Sequence, residues 1–388
     1  MVGGYYQSQD LWSRSVVLLN AVTPNNAGGA LISHKETQKG NAWSAFGNVL
    51  FKPIDTDELS AGGRYSHESK SISFFDLGPT GTSNPVAVPT AVPERKWSDF
   101  SPEFVTTWRP SPTLTAFLAW KKGFLSGGFN PGSGSIAAFG LDRSFDAEKV
   151  KGFELGIKGL YFDNALRLNF AAYDYKVDNM IVTSIVGATQ FINNAATSSS
   201  RGAELEATWK TPYEPVSLHS ALAYNRARYN SYVASPCYTG QIISLGCVLV
   251  GGVARQDLSG AHIVRAPDWV GNLGATFDIH ANDGLAYAFS VDGSYSGSYF
   301  TDATNNPTSI QPHFWIIDAT ASLTTRNGIE FALIGRNLGN TYTYQRTAGV
   351  IFSGSGATTG TAGPGIVPDQ LGFVSRGREI LLRASFKL

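Results

Sequence analysis

The stretch "FELGIKGLYFDNALRLNFAAYDYKVDNM" at residues 153–180 holds two runs in which apolar and polar side chains alternate. The first run sets apolar against polar residues as follows: Phe153, Leu155 and Ile157 against Glu154 and Lys158. The second run does the same: Leu166, Leu168 and Phe170 against Arg167 and Asn169. A period of two residues predicts β-strands. Because only "FDNA" separates the runs, the stretch predicts a hairpin with one apolar face and one polar face.

Runs of this kind recur along the whole chain, and the connections between them alternate in length. The runs number fourteen: 2–9, 42–52, 57–69, 99–109, 113–121, 149–161, 165–177, 201–210, 216–228, 269–278, 285–296, 314–325, 329–336 and 378–388. Six connections are short: 53–56, 110–112, 162–165, 212–215, 280–284 and 326–328. The seven connections between these are long and rich in Gly, Ser, Thr, Asn and Pro.

The alternation of short and long connections separates two all-β classes. A soluble sandwich has short strands and mixed loops, but gives no reason for strict alternation. A membrane barrel does, because its turns are short on the periplasmic side and its loops are long outside. Its strands need roughly 9–11 residues to cross the bilayer. The sequence therefore predicts an all-β, antiparallel transmembrane β-barrel of about 14 strands that occupies residues 1–388 as one domain.

Composition limits the classes of partner. The 388 residues carry 30 basic and 30 acidic side chains, so the formal net charge is zero and no basic stripe exists to bind nucleic acid. No stretch of about 18 apolar residues predicts a transmembrane helix. The opening "MVGGYYQSQD" lacks the basic start and apolar core of a signal peptide. The mean hydropathy of −0.08 suits strands in which every second residue faces lipid.

The two faces of the predicted strands indicate their surroundings. Six apolar side chains of the opening hairpin are expected to face outer-membrane lipid: Phe153, Leu155, Ile157, Leu166, Leu168 and Phe170. The polar set is expected to face the lumen: Glu154, Lys158, Arg167 and Asn169. Aromatic residues gather near strand ends, among them Trp108, Trp209 and Trp269. They match the interfacial girdles of barrels, although ordinary β-propensity also places aromatic residues in strands.

Five segments carry a family resemblance. They are "AFGNVLFKPIDTDELSAGGRYSHESK" (45–70), "KKGFLSGGFN" (121–130), "FDAEKVKGFELGIKG" (145–159), "SRGAELEATWK" (200–210) and "GRNLGNTYTY" (335–344). In this order they resemble the barrels of TonB-dependent outer-membrane receptors, and the resemblance covers nearly the whole chain. It implies the outer membrane of a Gram-negative bacterium as the location.

The resemblance also implies parts that these 388 residues do not contain. Members of the family carry a TonB-interacting box and an N-terminal plug domain inside a 22-stranded barrel. The fourteen strands correspond to the later part of such a barrel, and the chain opens inside a predicted strand at "VGGYYQ". The expectation is a C-terminal fragment without a plug. Contact with the inner-membrane TonB energising complex is then expected only in a full-length form.

Catalytic and metal-binding patterns are absent from the sequence. The six histidines are scattered, and neither His-Glu-x-x-His nor Cys-x-x-Cys occurs. The glycine-rich "GGFNPGSGS" at 127–135 lacks the Gly-Lys-Ser/Thr ending of a phosphate-binding loop. The sequence therefore predicts neither an enzyme nor a bound cofactor or metal.

The long loops and the lumen wall are the expected places for ligand contacts. The family implies energised uptake of a scarce small molecule, most often an iron chelate of the siderophore type. Six aromatic residues at loop tips are candidate stacking platforms: Phe124, Phe129, Tyr299, Phe300, Tyr342 and Tyr344. Each is equally compatible with girdle or loop packing. Arg346 in "TYQRTAG" could attract an anionic chelate, or be a solvated loop arginine.

The two cysteines of the chain lie in one long loop. Cys237 and Cys247 have nine residues between them, and an exported loop meets an oxidising compartment. A disulfide is therefore expected, with free thiols or a metal pair as alternatives.

The final strand "REILLRASFKL" (378–388) resembles the assembly signal of outer-membrane barrels, which the barrel assembly machinery recognises. Its aromatic residue is Phe386, two positions before the terminal Leu388, which departs from the usual pattern. The other function left open by the sequence is a non-specific porin-like channel, or a structural barrel without a ligand.

Overall fold

The computed structural model describes residues 1–18, 30–76, 86–88, 92–130, 144–186, 189–194, 197–238, 240–250, 253–281, 284–349 and 369–386. Fourteen long strands dominate this part of the chain: β1 Val2–Leu18, β2 Ala30–Ile54, β3 Asp57–Asp76, β4 Glu94–Ser111, β5 Leu114–Leu125, β6 Glu148–Tyr161, β7 Leu166–Asp178, β8 Thr197–Lys210, β9 Val216–Ser231, β10 Trp269–His280, β11 Ala286–Ser296, β12 Phe314–Thr324, β13 Glu330–Arg336 and β14 Glu379–Ser385. Each pairs with the next in antiparallel orientation. The predicted all-β fold with fourteen antiparallel strands is therefore confirmed.

Antiparallel order places all the short turns at one end of the sheet and all the long connections at the other. The long connections hold small ladders of their own: Val86–Val88 beside β3, Gly128–Phe129 with Ser144–Phe145, Ile181–Val186 with Thr189–Asn194, Ser235–Pro236 and Val248–Val250 with Val253–Gln256, Tyr299–Phe300 with Ile310–Gln311, and Tyr344–Gly349 with Gln370–Val374. Two 3-10 turns, Ile243–Leu245 and Pro307–Ser309, complete this end. None of the helices in the described ranges is long and apolar enough to cross a membrane.

The hairpin of the opening stretch forms as predicted, and its turn explains why it is so short. Phe162, Asp163 and Asn164 have φ angles of 55°, 54° and 69°, a left-handed run that reverses the chain within four residues. The N–H of Ala165 donates to the carbonyl oxygen of Phe162 at 2.9 Å. Asp and Asn tolerate this conformation better than most residues, so "FDNA" is suited to the turn.

In the register of the sheet, apolar residues of neighbouring strands lie opposite one another. Together they form one apolar stripe across the outer face. Phe170 lies opposite Ile157 on β6 and opposite Leu205 on β8, and Leu205 lies opposite Leu222 on β9. These four side chains are between 40 % and 48 % exposed, so no other part of the described chain covers them. A soluble protein would bury such a face, whereas a barrel presents it to lipid.

The opposite face of the same strands is polar and internally bonded. Asn169 donates to Glu206 at 3.1 Å across the β7–β8 pair. Glu154 accepts from the Tyr175 hydroxyl at 3.1 Å and lies 3.5 Å from the Lys121 ammonium. Polar side chains on this face satisfy one another, as expected of a wall that borders a wet lumen.

Several strands are longer than the sequence predicted, and the first three extend furthest at the long-loop end. The runs 2–9, 42–52 and 57–69 extend at the long-loop end to Leu18, back to Ala30 and to Asp76. The reason lies in residues 33–41, "SHKETQKGN", which are polar at both parities. A strand that is polar at both parities keeps its backbone ladder but lacks the alternation by which strands are recognised in a sequence.

Candidate ligand-binding site

The largest buried cluster of the described residues lies at the long-loop end of the sheet, where Tyr229 of β9 packs with residues of three connections. The buried members, here called the loop core, are Val182, Tyr229, Tyr232, Leu258 and Ala303, with Met180, Ala261, Ile263 and Val264 packed around them. The rings of Tyr229 and Tyr232 are 5.1 Å apart. Because the residues around Tyr229 come from three different connections, the loops are held together by apolar burial.

Hydrogen bonds between connections hold the same loops together. Asn130 donates to the carbonyl oxygen of Ile192 at 2.8 Å and also accepts from its N–H. Gln256 donates to the carbonyl oxygens of Pro236 and Thr304, both at 2.8 Å. Such bonds from side chains give the backbone groups of irregular segments the partners that a β-ladder would otherwise supply. The long-loop end is therefore a folded collar.

An ion pair fixes the collar to the top of the sheet. The Arg228 guanidinium donates both nitrogens to the two oxygens of Asp268, each at 3.0 Å. These bonds hold the pKa of Asp268 below its usual value despite partial burial. The stabilisation is complete above the unfolded-state pKa and is lost as the pH falls through the lowered one. The pKa of neighbouring His262 is lowered by burial and by the Arg228 charge, which favours its neutral form.

One pocket lies where four connections meet. It encloses about 130 Å³, and its walls are Thr183, Val264, Arg265, Thr301, Asp302, Ala303, Arg346, Thr347 and Ala348. The hydroxyl of Thr301 lies 2.7 Å from that of Thr347 and donates to the carbonyl oxygen of Ser309 at 2.8 Å. The N–H of Arg265 donates to the carbonyl oxygen of Phe300 at 2.9 Å. These bonds connect three of the four segments directly beneath the pocket.

Of the seven predicted ligand residues, Arg346 lines this pocket, and Tyr299, Phe300 and Tyr344 lie on chain segments next to it. Phe300 adjoins the pocket through its bond to Arg265. The Tyr299 hydroxyl donates to the carbonyl oxygen of Tyr344 at 3.4 Å. Burial raises the pKa of Tyr299, partly offset by the charge of Arg265, so its hydroxyl stays a neutral donor.

The other three predicted residues lie apart from the pocket. Tyr342 is exposed and precedes the Tyr344–Gly349 ladder. Phe124 lies near the end of β5, opposite Lys149 of β6. Phe129 is only 3 % exposed and packs with Ile72 and Phe74, so its ring is a packing element in this structure.

Sequence reasoning missed Arg265, Thr301 and Asp302. Arg346 stood out because it follows two aromatic residues in one loop, whereas "HIVRAPDW" around Arg265 carries no motif. Only the packing of separate loops brings the two arginines to one pocket. Across the described residues, no group of three or more His, Cys, Asp or Glu side chains could hold a metal ion.

A disulfide joins Cys237 and Cys247, whose Cα atoms are 5.8 Å apart. It lies at the base of the exposed hairpin Val248–Val250 with Val253–Gln256. Gln241, between the cysteines, donates to Gln256 at 3.0 Å. The bridge thus closes a small loop against a strand of the collar.

We expect the bridge to form in the exported protein and to stabilise its loop. Closing a loop of about ten residues restricts the unfolded chain by about 2–3 kcal/mol on the chain-entropy model. The peptide 229–255, released by trypsin after Arg228 and Arg255, should weigh two hydrogens less without reduction than its composition requires. Two alkylatable thiols in freshly isolated envelopes would contradict this prediction.

Comparison with known families and structures agrees with the geometry. The family model described as "TonB dependent receptor-like, beta-barrel" matches residues 2–338. The ferric yersiniabactin uptake receptor FyuA from Yersinia pestis superimposes with a TM-score of 0.69 at 16 % identity, over 98 % of this chain and 49 % of that one. The siderophore receptor PiuA from Acinetobacter baumannii gives 0.68 at 15 % identity, over 99 % and 52 %.

A third solved structure shows that the fold is not tied to one cargo. The copper transporter OprC gives a TM-score of 0.58 at 12 % identity, over 100 % of this chain and 57 % of that one. At these identities the likeness is one of fold. The chain spans about half the length of the solved structures it matches.

Proposed function

Because the chain belongs to the family of TonB-dependent receptor-like β-barrels, we propose that it forms the wall and outer rim of a receptor for energised uptake in the outer membrane. The observation that carries the proposal is the division of the fold into two parts. A sheet with an apolar outer face and a polar inner face suits a membrane wall, and the collar at its long-loop end suits ligand capture.

We propose an iron chelate of the siderophore type as the ligand. Two of the matched structures are receptors for such molecules by their descriptions, and the third carries copper, so fold alone does not select the cargo. The collar offers tyrosine rings at Tyr299, Tyr342 and Tyr344 for stacking on planar chelating groups. Phe124 and Phe300 are further candidate contacts, and Arg346 supplies positive charge.

Transport needs a gate and an energy source. In this family a plug domain fills the barrel, and a TonB box couples it to the inner membrane. We propose that the inner-membrane energising complex acts on the form of the protein that carries a plug. The 388 residues alone are then expected not to support energised uptake.

Uptake of radioactive iron tests the proposal. The protein is expressed from its natural gene, with all sequence upstream of residue 1, in cells that lack other iron-chelate receptors. Fractionation should place it in the outer membrane, and a siderophore mixture should deliver iron that accumulates until a protonophore is added. Passive, protonophore-insensitive flux of small sugars would instead identify a porin-like channel and refute the proposal.

A further inference from the structure

Two arginines that line the pocket have no carboxylate partner among the described residues, unlike two arginines at the long-loop end of the sheet. Arg228 is paired with Asp268, and Arg95 lies 2.7 Å from Asp146. Within the described residues, neither Arg265 nor Arg346 has a carboxylate within 4.0 Å. Two cationic groups on one small pocket repel each other, and an anion between them would relieve that repulsion.

The pocket has a single carboxylate, and part of it is already used. One oxygen of Asp302 accepts from the N–H of Thr304 at 2.7 Å and from its hydroxyl at 3.0 Å. This bonding fixes the carboxylate within its own turn. With two guanidinium groups against one carboxylate, the lining has a formal charge of +1.

Two of the three threonine hydroxyl groups that line the pocket, those of Thr301 and Thr347, have their hydrogens engaged. Thr301 donates its only hydroxyl hydrogen to the carbonyl oxygen of Ser309, which cannot donate. The contact between the two threonines therefore has Thr347 as donor and Thr301 as acceptor. The charged donors among the lining residues are Arg265 and Arg346, and guanidinium groups favour a ligand rich in acceptors.

The backbone of Arg265 is held in an unusual conformation. Its φ of 56° lies in the left-handed region, where six of the eight non-glycine residues of the described chain are Asn or Asp. Phe162 is the other exception, and it lies in a tight turn at the opposite end of the sheet. A strained arginine on a pocket wall, held by the Phe300 carbonyl, is typical of a ligand clamp.

We propose that Arg265 and Arg346 bind one small oxyanion group of the transported ligand, a carboxylate or a phosphate. This inference rests on the proposed function and narrows its ligand to a chelate with a free anionic substituent. The volume of about 130 Å³ suits such a substituent. It is well below the roughly 300–1,000 Å³ that whole small-molecule ligands occupy, so the body of the chelate stays among the exposed rings of the collar.

Titration calorimetry with citrate and with inorganic phosphate tests the pocket. The full-length receptor in detergent should bind at least one of these anions. Arg346→Gln and Arg265→Gly should each weaken that binding at least tenfold. Arg326→Gln is the matched control, since Arg326 lies in the short turn between β12 and β13 at the far end of the sheet.

The glycine variant separates binding from folding. Glycine adopts positive φ without strain, so Arg265→Gly should unfold at a temperature no lower than the wild type while losing the anion. Unchanged anion binding in both pocket variants would overturn the proposal. The proposal would also be overturned if the receptor bound lipopolysaccharide but neither citrate nor phosphate. The arginines would then bind a lipid headgroup and not a substituent of the transported ligand.

The pocket and the receptor function can fail separately. If energised uptake of iron persists in Arg346→Gln and Arg265→Gly at wild-type affinity for the chelate, the pocket assignment is wrong and the uptake function stands. If at least one anion binds as expected but no chelate is taken up, the uptake function is wrong and the oxyanion site stands.

Discussion

Leu205→Arg is expected to destabilise the protein in lipid by about 2–4 kcal/mol, the cost of an arginine on the lipid face of a barrel near the midplane. Leu205 lies mid-strand on β8 and belongs to the apolar stripe that crosses four strands. Trp209 marks the turn side of this strand, and the ring pair Tyr224 and Trp269, with centroids 4.8 Å apart, marks the loop side. Leu205 lies between these two aromatic levels, where water is absent.

A matched arginine on the other face supplies the control. Thr208 lies three residues further along β8, opposite His219, at the parity of the polar wall. Thr208→Arg meets water there and should cost less than about 1 kcal/mol. Urea unfolding in lipid vesicles, followed by the heat-modifiable band on gels, measures both variants. Equal destabilisation by the two arginines would show that the faces are assigned incorrectly.

Deleting Glu379–Ser385 is expected to abolish assembly in the membrane. Strand β14 pairs with all of Glu330–Arg336, so its loss leaves a full-length row of backbone groups unpaired. Each such group costs several kcal/mol in hydrocarbon, which exceeds the marginal stability of a folded protein. The deletion also removes Ile380 and Leu382, two of the most exposed apolar side chains of the sheet.

A conservative variant shows whether assembly depends on the backbone pairing of β14 or on the identity of its apolar side chains. The double change Ile380→Leu with Leu382→Ile keeps the strand, its parity and its volume, and should assemble normally. Protease resistance in intact cells distinguishes the proteins. A protease-resistant deletion variant would show that β14 is dispensable.

We also propose that Phe386 helps the barrel assembly machinery to recognise this strand, as the family resemblance implies. Leu388 lies outside the described residues.

The membrane-spanning part of the fold could be predicted from the sequence because contact with lipid requires a regular pattern of apolar residues. Every second residue of a spanning strand must be apolar. The spacing of Phe153, Leu155 and Ile157 therefore predicted both the strand and the face that points outward. Register then followed from parity, as the pairs of Phe170 with Ile157 and Leu205 confirm. The extensions of β1, β2 and β3 obey no such rule, because residues 33–41 are polar at both parities and Ile72 and Phe74 pack against Phe129 of a long connection.

The site was harder to predict because it depends on contacts between separate loops. Tyr299, Tyr344 and Arg346 were found as aromatic or charged residues in long connections, which is a statement about composition. Their arrangement depends on the loop core, and no local pattern encodes that Val182 packs with Tyr229 or that Arg265 and Arg346 line one pocket. The expectation that these residues are the later part of a 22-stranded barrel stays a prediction.

The separation of the loop core from the apolar stripe has an evolutionary consequence. The stripe is stabilised by lipid and by backbone pairing, whereas the collar is stabilised by the residues around Tyr229. Substitutions at residues that do not contact one another add almost independently, and the apolar stripe shares no residue with the loop core. Selection can therefore change residues of the collar in response to antibodies, phages or a change of available ligand. The apolar stripe that faces lipid can stay the same meanwhile.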